Sequence, residues 1–264
     1  MYKKSFINIL IFTLFIVLIF TQIVSATIRV EPSRFIFTID PGQRTTDVIQ
    51  VINNTDETVE LTAVYYDWNL NQEDEMLNYE SGTLLESFDG LIRFNPRSLK
   101  LGPGEDQLVR FTISIPEEAS GEHERRGIIF FEHEAPYEGE GMGATVRTMI
   151  GTTVYAIPSS YEIDFNLRGI VHQDENSNYW GMLLVKNNSK VHLRYSIGYT
   201  IADSQGRAIE EGSLNNNVLL PDNERGLYFP IETDLEPGNY EILLNVNFIG
   251  TGEQMTTSIP FEIE

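Results

Sequence analysis

Hydrophobic and polar residues alternate along most of the chain, and no window shows the sustained three- and four-residue spacing of an amphipathic helix. A period of two is typical of β-strands that bury one face. Runs rich in β-branched and aromatic residues recur from Ile28 to Ile157, separated by turn sequences such as Asp40-Pro41-Gly42. A similar series extends from Tyr161 to Ile263. The pattern therefore predicts an all-β protein.

The number of runs indicates two immunoglobulin-like β-sandwich domains in tandem, because about seven short strands make one sandwich of two antiparallel sheets. We place the boundary at Ile157-Pro158-Ser159-Ser160, which gives domains at residues 27–158 and 159–264. Two domains in one chain also favour a cleft between them, where ligands often bind. Trp68 and Trp180 are expected to pack in the two cores, as strand aromatics of sandwiches usually do.

Residues 1–26 have the composition of a secretory signal peptide. Lys3 and Lys4 precede an apolar run from Phe6 to Phe20, and Val24-Ser25-Ala26 places small or short residues at a cleavage site. The alternative is an uncleaved N-terminal anchor, since the apolar run is long. We expect export to the periplasm or the cell surface, with no stable membrane insertion after signal cleavage.

The composition is strongly acidic, with 39 Asp and Glu against 18 Lys and Arg and a net charge of −21. Nucleic acids require a cationic surface, so we expect no nucleic-acid partner. The chain has no cysteine, which excludes disulfides, thiolate metal sites and cysteine nucleophiles. His123 and His133 lack zinc-ligand spacing, and residues 174–185 lack the glycine and closing glutamate of a calcium loop. We predict no metal, no cofactor and no enzymatic activity.

Four segments of the first domain occur in an order that belongs to a known family. They are Glu31 to Phe37 followed by Pro41-Gly42, Val48 to Asn54, Phe94 to Gly104 followed by Gln107 to Arg110, and Val154 to Pro158. Together they resemble the N-terminal domain of periplasmic pilus-assembly chaperones, the PapD-like superfamily. The second domain resembles that family only in its expected fold.

The resemblance implies that a partner subunit binds between the domains, where an edge strand supplies a missing β-strand. In the family, a basic pair in the cleft holds the subunit's C-terminal carboxylate. Arg34 matches the arginine of that pair, whereas Thr152 and Thr153 stand near the expected lysine, so Arg147 or another cation would have to compensate. The predicted partner-binding residues are Arg34 and alternate positions of the last strand, namely Val146, Thr148, Ile150, Thr152 and Val154.

Two functions follow as hypotheses. The first is an exported chaperone-like protein that captures a secreted pilus or surface subunit by strand pairing along Val146–Tyr155. The alternative is a structural or adhesive cell-surface protein built from the same sandwiches, without chaperone activity. Residues 135–144, rich in glycine and glutamate, are expected to form a hairpin that leads into the last strand.

Overall fold

The computed structural model describes residues 27–71, 74–136, 145–174 and 178–263. The predicted signal peptide and most of the expected hairpin at residues 135–144 lie outside this part of the chain. Its regular elements are all β-strands, which confirms the predicted fold class. None of the described residues forms a helix with the length and apolar character needed to cross a bilayer.

The first sandwich consists of two facing sheets. Its strands are β1 (Ile28–Glu31), β2 (Arg34–Thr38), β3 (Arg44–Asn53), β4 (Val59–Leu70), β5 (Met76–Glu80), β6 (Ile92–Asn95), β7 (Ser98–Leu101), β8 (Asp106–Ser114), β9 (Arg125–Pro136) and β10 (Thr145–Ile157). The first sheet has the order β1-β3-β8-β6. The second sheet has the order β2-β10-β9-β4-β5, and β7 also pairs with β4.

The second sandwich follows the same plan with fewer strands. Its strands are β11 (Phe165–Gln173), β12 (Tyr179–Asn187), β13 (Leu193–Asp203), β14 (Ala208–Leu219), β15 (Glu224–Ile231), β16 (Gly238–Phe248) and β17 (Gln254–Ile263). The third sheet has the order β11-β12-β15, and the fourth has the order β14-β13-β16-β17. Two sandwiches in one chain agree with the prediction, while the boundary between residues 158 and 159 stays a prediction.

Each sandwich has its own core, built from the inward positions of its strands. In the first, Ile49 of β3, Phe111 of β8 and Phe131 of β9 are fully buried. In the second, Leu183 of β12 and Ile242 of β16 occupy corresponding inward positions. Each fully buried side chain of this size stabilises the fold by about 1.5–3 kcal/mol. The strand alternation read from the sequence therefore places the cores.

The two tryptophans differ from their expected positions. Trp68 is buried, but it packs in a third apolar cluster, together with Ile128, Phe130, Tyr155 and Leu220. Since Leu220 belongs to the second sandwich, this cluster joins the two domains. The prediction that Trp180 lies in the second core is wrong: Leu183, three residues further along the same strand, points inward, whereas Trp180 lies on the opposite face.

Candidate partner-binding site

β10 is paired along one side for nearly its whole length and along the other side only near its end. Residues Thr145 to Ala156 pair with β9 in antiparallel register. On the other side, β2 pairs in parallel with residues Thr153 to Ile157 only. Within the described residues, no strand pairs with residues 145–152 on that side. This unpaired stretch, residues 145–152, is called the open edge below.

The open edge exists because the N-terminal chain changes sheets. β1 pairs with β3 in the first sheet, and only after Pro32 and Ser33 does β2 join β10 in the second sheet. Proline has no backbone N–H to donate to either ladder, so Pro32 suits the crossing point. Because β2 begins at Arg34, opposite Thr153, it covers only the last part of β10.

The orientation of the backbone along the open edge follows from one hydrogen bond. The N–H of Thr153 donates to the carbonyl oxygen of Ser33 at 3.2 Å. Backbone groups of every second residue point to the same side of a strand. The N–H and C=O groups of Gly151, Met149 and Arg147 therefore face the open side and are the groups that a further strand would pair with.

A groove of about 560 Å³ runs beside the open edge. Its lining includes Thr148 to Ile150 of β10 and Ile28 of β1. Val59 contributes to the lining and belongs to the first core, against which Ile28 and Ile150 also pack. The open edge thus lies next to an apolar entrance into the first sandwich.

The predicted residues of β10 have different environments. Ile150 is half-buried against the first core, and Thr148 is exposed. Thr152 is fully buried, and its Oγ1 has no hydrogen-bond partner among the described residues. Val146 lies on the open edge, but its side chain is outside the described part of the protein. All of these positions except Val154 belong to the open edge.

Val154 requires a correction. It pairs with Gly127 of β9 on one side and with Phe35 of β2 on the other, and its side chain is fully buried. Strand pairing along the whole of Val146–Tyr155 is therefore not possible, because the protein's own β2 occupies the end of that stretch. The available edge ends at Thr152.

Arg147, considered as a substitute for the missing cleft lysine, is engaged elsewhere. Its Nη2 lies 2.7 Å from Oε1 of Glu134 on the neighbouring β9. The hydrogen bond from Arg147 to Glu134 and the charge of that carboxylate raise the pKa of Arg147. Arg147 is therefore held in an exposed ion pair and does not supply the second cation of the cleft.

A second cation does come close to Arg34, and it belongs to the second domain. Burial lowers the pKa of Arg194, and the positive charge of Arg34 lowers it further. Both arginines also affect the pKa of Tyr155. Burial raises this pKa to about 12, and the positive charges of the two arginines oppose the increase. Arg34 lies opposite Thr153, two residues before Tyr155 in β10. Arg194 follows His192 by two residues, and the His192 ring packs on Tyr155, so both arginines lie at the Tyr155 end of β10.

This arginine pair has no counter-ion within the described residues. Neither Arg34 nor Arg194 forms an ion pair there. The Nε of Arg194 is buried and has no hydrogen-bond partner among the described groups. Sequence reasoning missed Arg194, because an arginine between the inward residues Leu193 and Tyr195 is typical of the outward face of any strand.

A buried polar network beside the arginine pair connects the domains. Oε2 of Glu124 accepts a hydrogen bond from the backbone N–H of His192 at 2.8 Å and lies 2.6 Å from its Nδ1. Oε1 of the same carboxylate accepts a hydrogen bond from Arg126 at 3.3 Å. The His192 ring packs on Tyr155 with centroids 4.1 Å apart. These contacts fix the second domain against the end of β10.

Comparisons with known proteins identify a fold. No family model matches the chain, and no curated protein matches it. A chain from a chaperone–tip adhesin complex of CFA/I fimbriae superposes with a TM-score of 0.53 at 13% identity, covering 89% of this chain and 98% of that one. The class 5 fimbriae chaperone CfaA superposes with a TM-score of 0.52 at 13% identity, covering 90% and 100%. The chain has the fold of a fimbrial chaperone.

The fimbrial-chaperone fold confirms the resemblance that the sequence motifs indicated. The likeness covers both sandwiches, although the motifs were confined to the first. The superposition establishes that the architecture is shared. At 13% identity it does not establish that this chain binds the partners of those proteins.

Proposed function

We propose that the protein is an exported chaperone-like protein that binds a partner polypeptide by adding a strand to the open edge of β10. The observation that carries this proposal is the unpaired backbone of residues 145–152 beside an apolar groove. An exposed strand edge is an aggregation hazard for an exported protein, and a bound partner strand removes it. The fimbrial-chaperone fold is consistent with this role.

In this proposal, main-chain hydrogen bonds give affinity and alternate side chains give selectivity. The partner strand pairs with the outward backbone groups of Arg147, Met149 and Gly151. Every second side chain of the partner enters the groove and contacts Ile28 and Ile150. The partner is therefore a secreted or surface subunit with alternating apolar residues.

The arginine pair supplies the second part of the proposed site. Two positive charges brought together without a counter-ion among the described residues are unfavourable, and burial increases the cost. A carboxylate bound between Arg34 and Arg194 would neutralise both charges and satisfy the Nε of Arg194 through charge-assisted hydrogen bonds. We assign this position to the C-terminal carboxylate of the partner.

Substitution of Arg147 by proline tests the strand-pairing proposal most directly. Arg147→Pro removes one N–H from the open side and leaves the ladder to β9 intact, because the bonds to β9 come from the alternate residues. The probe is a synthetic peptide of alternating valine and threonine residues with a free C-terminus. We expect roughly tenfold weaker binding in calorimetry, the loss of about one hydrogen bond.

The matched control is Arg147→Ala, which also removes the ion pair with Glu134 but keeps the N–H. We expect its affinity for the peptide to equal that of the unmodified protein. Equal effects of the two substitutions would show that the backbone edge does not bind the probe. Failure of the unmodified protein to bind the peptide at all would count against strand addition.

A further inference from the structure

The outward face of the third sheet carries an apolar patch that no part of the proposed strand-binding site uses. Its strands align their outward residues in four rows across β11, β12 and β15. From one end to the other, these rows are Asn166, Lys186 and Glu224; Arg168, Leu184 and Gly226; Ile170, Met182 and Tyr228; and His172, Trp180 and Pro230. These twelve positions are called the outer face below.

Apolar side chains dominate two neighbouring rows of the outer face. Ile170 is 54% exposed and Tyr228 is 63% exposed, while Met182 between them is half-buried. Trp180 adjoins this row and is also half-buried, and its Nε1 donates a hydrogen bond to Asp174 at 3.3 Å. Exposed apolar residues that form one contiguous patch, unlike scattered single residues, mark interaction surfaces.

One end of the outer face has a charge opposite to that of the protein. The chain has a net charge of −21, but Glu224 is the only carboxylate among the twelve outward positions. Glu224 lies 3.5 Å from Arg168, which leaves Lys186 as the excess cation of the face. The apolar rows thus have a positive border on the side of Arg168 and Lys186, whereas Asp174 lies at the Trp180 end. The positive side complements an apolar segment that carries carboxylates.

A second copy of this chain does not match the outer face well. Two copies would bring two strongly acidic molecules together. Strand addition at the β15 edge of this sheet is disfavoured as well, because Pro230 cannot donate to a ladder.

We propose that the outer face docks a second partner protein through an apolar segment bordered by Asp and Glu residues. Aromatic and aliphatic side chains of the segment contact Tyr228, Ile170 and Trp180, and its carboxylates face Lys186 and Arg168. This docking is separate from the open edge of β10, so the protein holds two polypeptides on different domains.

Two synthetic peptides of equal length test the proposal, one alternating leucine with glutamate and the other alternating leucine with lysine. Trp180 serves as the reporter, because a docked peptide shields it from acrylamide quenching while Trp68 is already buried. We expect the acidic peptide to reduce quenching and to bind at least about tenfold more tightly than the basic peptide. No binding, or equal binding of both peptides, would overturn the proposal.

Three variants locate the binding. Tyr228→Glu removes apolar contact and adds repulsion, and we expect it to abolish binding of the acidic peptide. Lys186→Glu reverses the border charge without changing the apolar rows, and we expect several-fold weaker binding. Leu243→Glu, at a residue 42% exposed on the fourth sheet, is the matched control and should leave affinity unchanged. An equal loss in this control would overturn the assignment.

Two further measurements distinguish other occupants. Sedimentation equilibrium of the unmodified protein should give a monomer, and a dimer that Tyr228→Glu dissociates would replace the proposed partner with a second copy. Vesicles of phosphatidylglycerol should not bind. Vesicle binding lost in Tyr228→Glu, without peptide binding, would replace the partner protein with a membrane surface.

Discussion

Glu124 of the first domain and His192 of the second lie 2.6 Å apart, from Oε2 to Nδ1, and their side chains are 0% and 3% exposed, respectively. The same carboxylate is the partner of Arg126, whose side chain is 3% exposed. A charged group in such surroundings depends on its partner, because water cannot replace the lost contact. The Glu124 carboxylate therefore binds the Arg126 guanidinium of its own domain and the backbone N–H of His192 in the other domain.

Removal of this carboxylate should be costly. We expect Glu124→Ala to lower the free energy of unfolding by about 3–5 kcal/mol, because Arg126 is left buried with its main partner removed. Chemical denaturation measures the change. The control is Glu60→Ala, which breaks an exposed pair with Lys100 and should leave stability nearly unchanged. Equal effects of the two substitutions would contradict the role assigned to Glu124.

Two buried tyrosines allow a second comparison. The hydroxyl of Tyr65 donates to Asp67 at 2.8 Å and accepts from the backbone N–H of Phe88 at 2.8 Å. The hydroxyl of Tyr195 is buried without a partner among the described residues. A buried hydroxyl without a hydrogen bond destabilises the folded state, so its removal is favourable. Removal of a hydrogen-bonded hydroxyl is unfavourable, because the groups that it was bonded to are left unpaired.

Phenylalanine substitutions should therefore act in opposite directions. We expect Tyr195→Phe to raise the free energy of unfolding by about 1 kcal/mol and Tyr65→Phe to lower it by about 1–3 kcal/mol. Urea unfolding of both variants measures these changes, and the shared removal of one hydroxyl makes each the control of the other. Destabilisation by Tyr195→Phe would show that its hydroxyl has a partner after all.

The strand alternation accounts for much of the fold from sequence alone. Ile49 and Val51 of β3 are buried as a period of two requires, and the same rule places the inward residues of most strands. β6, at Ile92–Asn95, was not predicted, since its short alternating run lies next to an irregular region. Trp180 was assigned to a core because strand aromatics are usually buried, although its register in β12 places it on the outward face.

The site was less predictable, because it depends on which distant segments meet. Val154 is excluded from the open edge only by the position of β2, which no local pattern encodes. Arg194 comes near Arg34 only through the relative placement of the two domains. By contrast, Arg34 and the strand from Val146 to Thr152 were identified from motif and alternation, and their role in binding stays a prediction.

Tyr155 makes the free energy of unfolding decrease with rising pH in the alkaline range. Burial raises its pKa to about 12, above the value of about 10 expected in the unfolded chain. Between these values the unfolded chain loses the proton while the folded protein keeps it, so stability falls as the pH rises. The full contribution is present below pH of about 10, and about 2–3 kcal/mol is lost by pH of about 12.

Denaturation of Tyr155→Phe at a series of pH values isolates this contribution. We expect a shallower loss of stability above pH of about 10 than in the unmodified protein, in which Tyr65 and Tyr195 also have raised pKa values. Tyr228→Phe, at an exposed position, should retain the full slope. An unchanged slope in Tyr155→Phe would mean that its hydroxyl ionises normally in the folded state.

Arg194 should impose opposite requirements on stability and binding. Its pKa is lowered by burial and by Arg34, so the folded state disfavours its positive charge. We expect Arg194→Gln to raise the midpoint of thermal unfolding of the free protein. The same substitution should weaken binding of the valine–threonine peptide with a free C-terminus and leave binding of its C-terminal amide unchanged, because the amide has no charge to neutralise.

Arg207→Gln provides the matched control, since Arg207 is exposed and paired with Asp203 within its own strand connection. This variant should show neither the stabilisation nor the loss of preference for the free carboxylate. A lower unfolding midpoint in Arg194→Gln, together with an unchanged ratio of acid to amide affinity, would mean that Arg194 serves only to hold the domains together. The carboxylate would then have to be bound by Arg34 alone, which fits poorly with two unneutralised arginines at one domain junction.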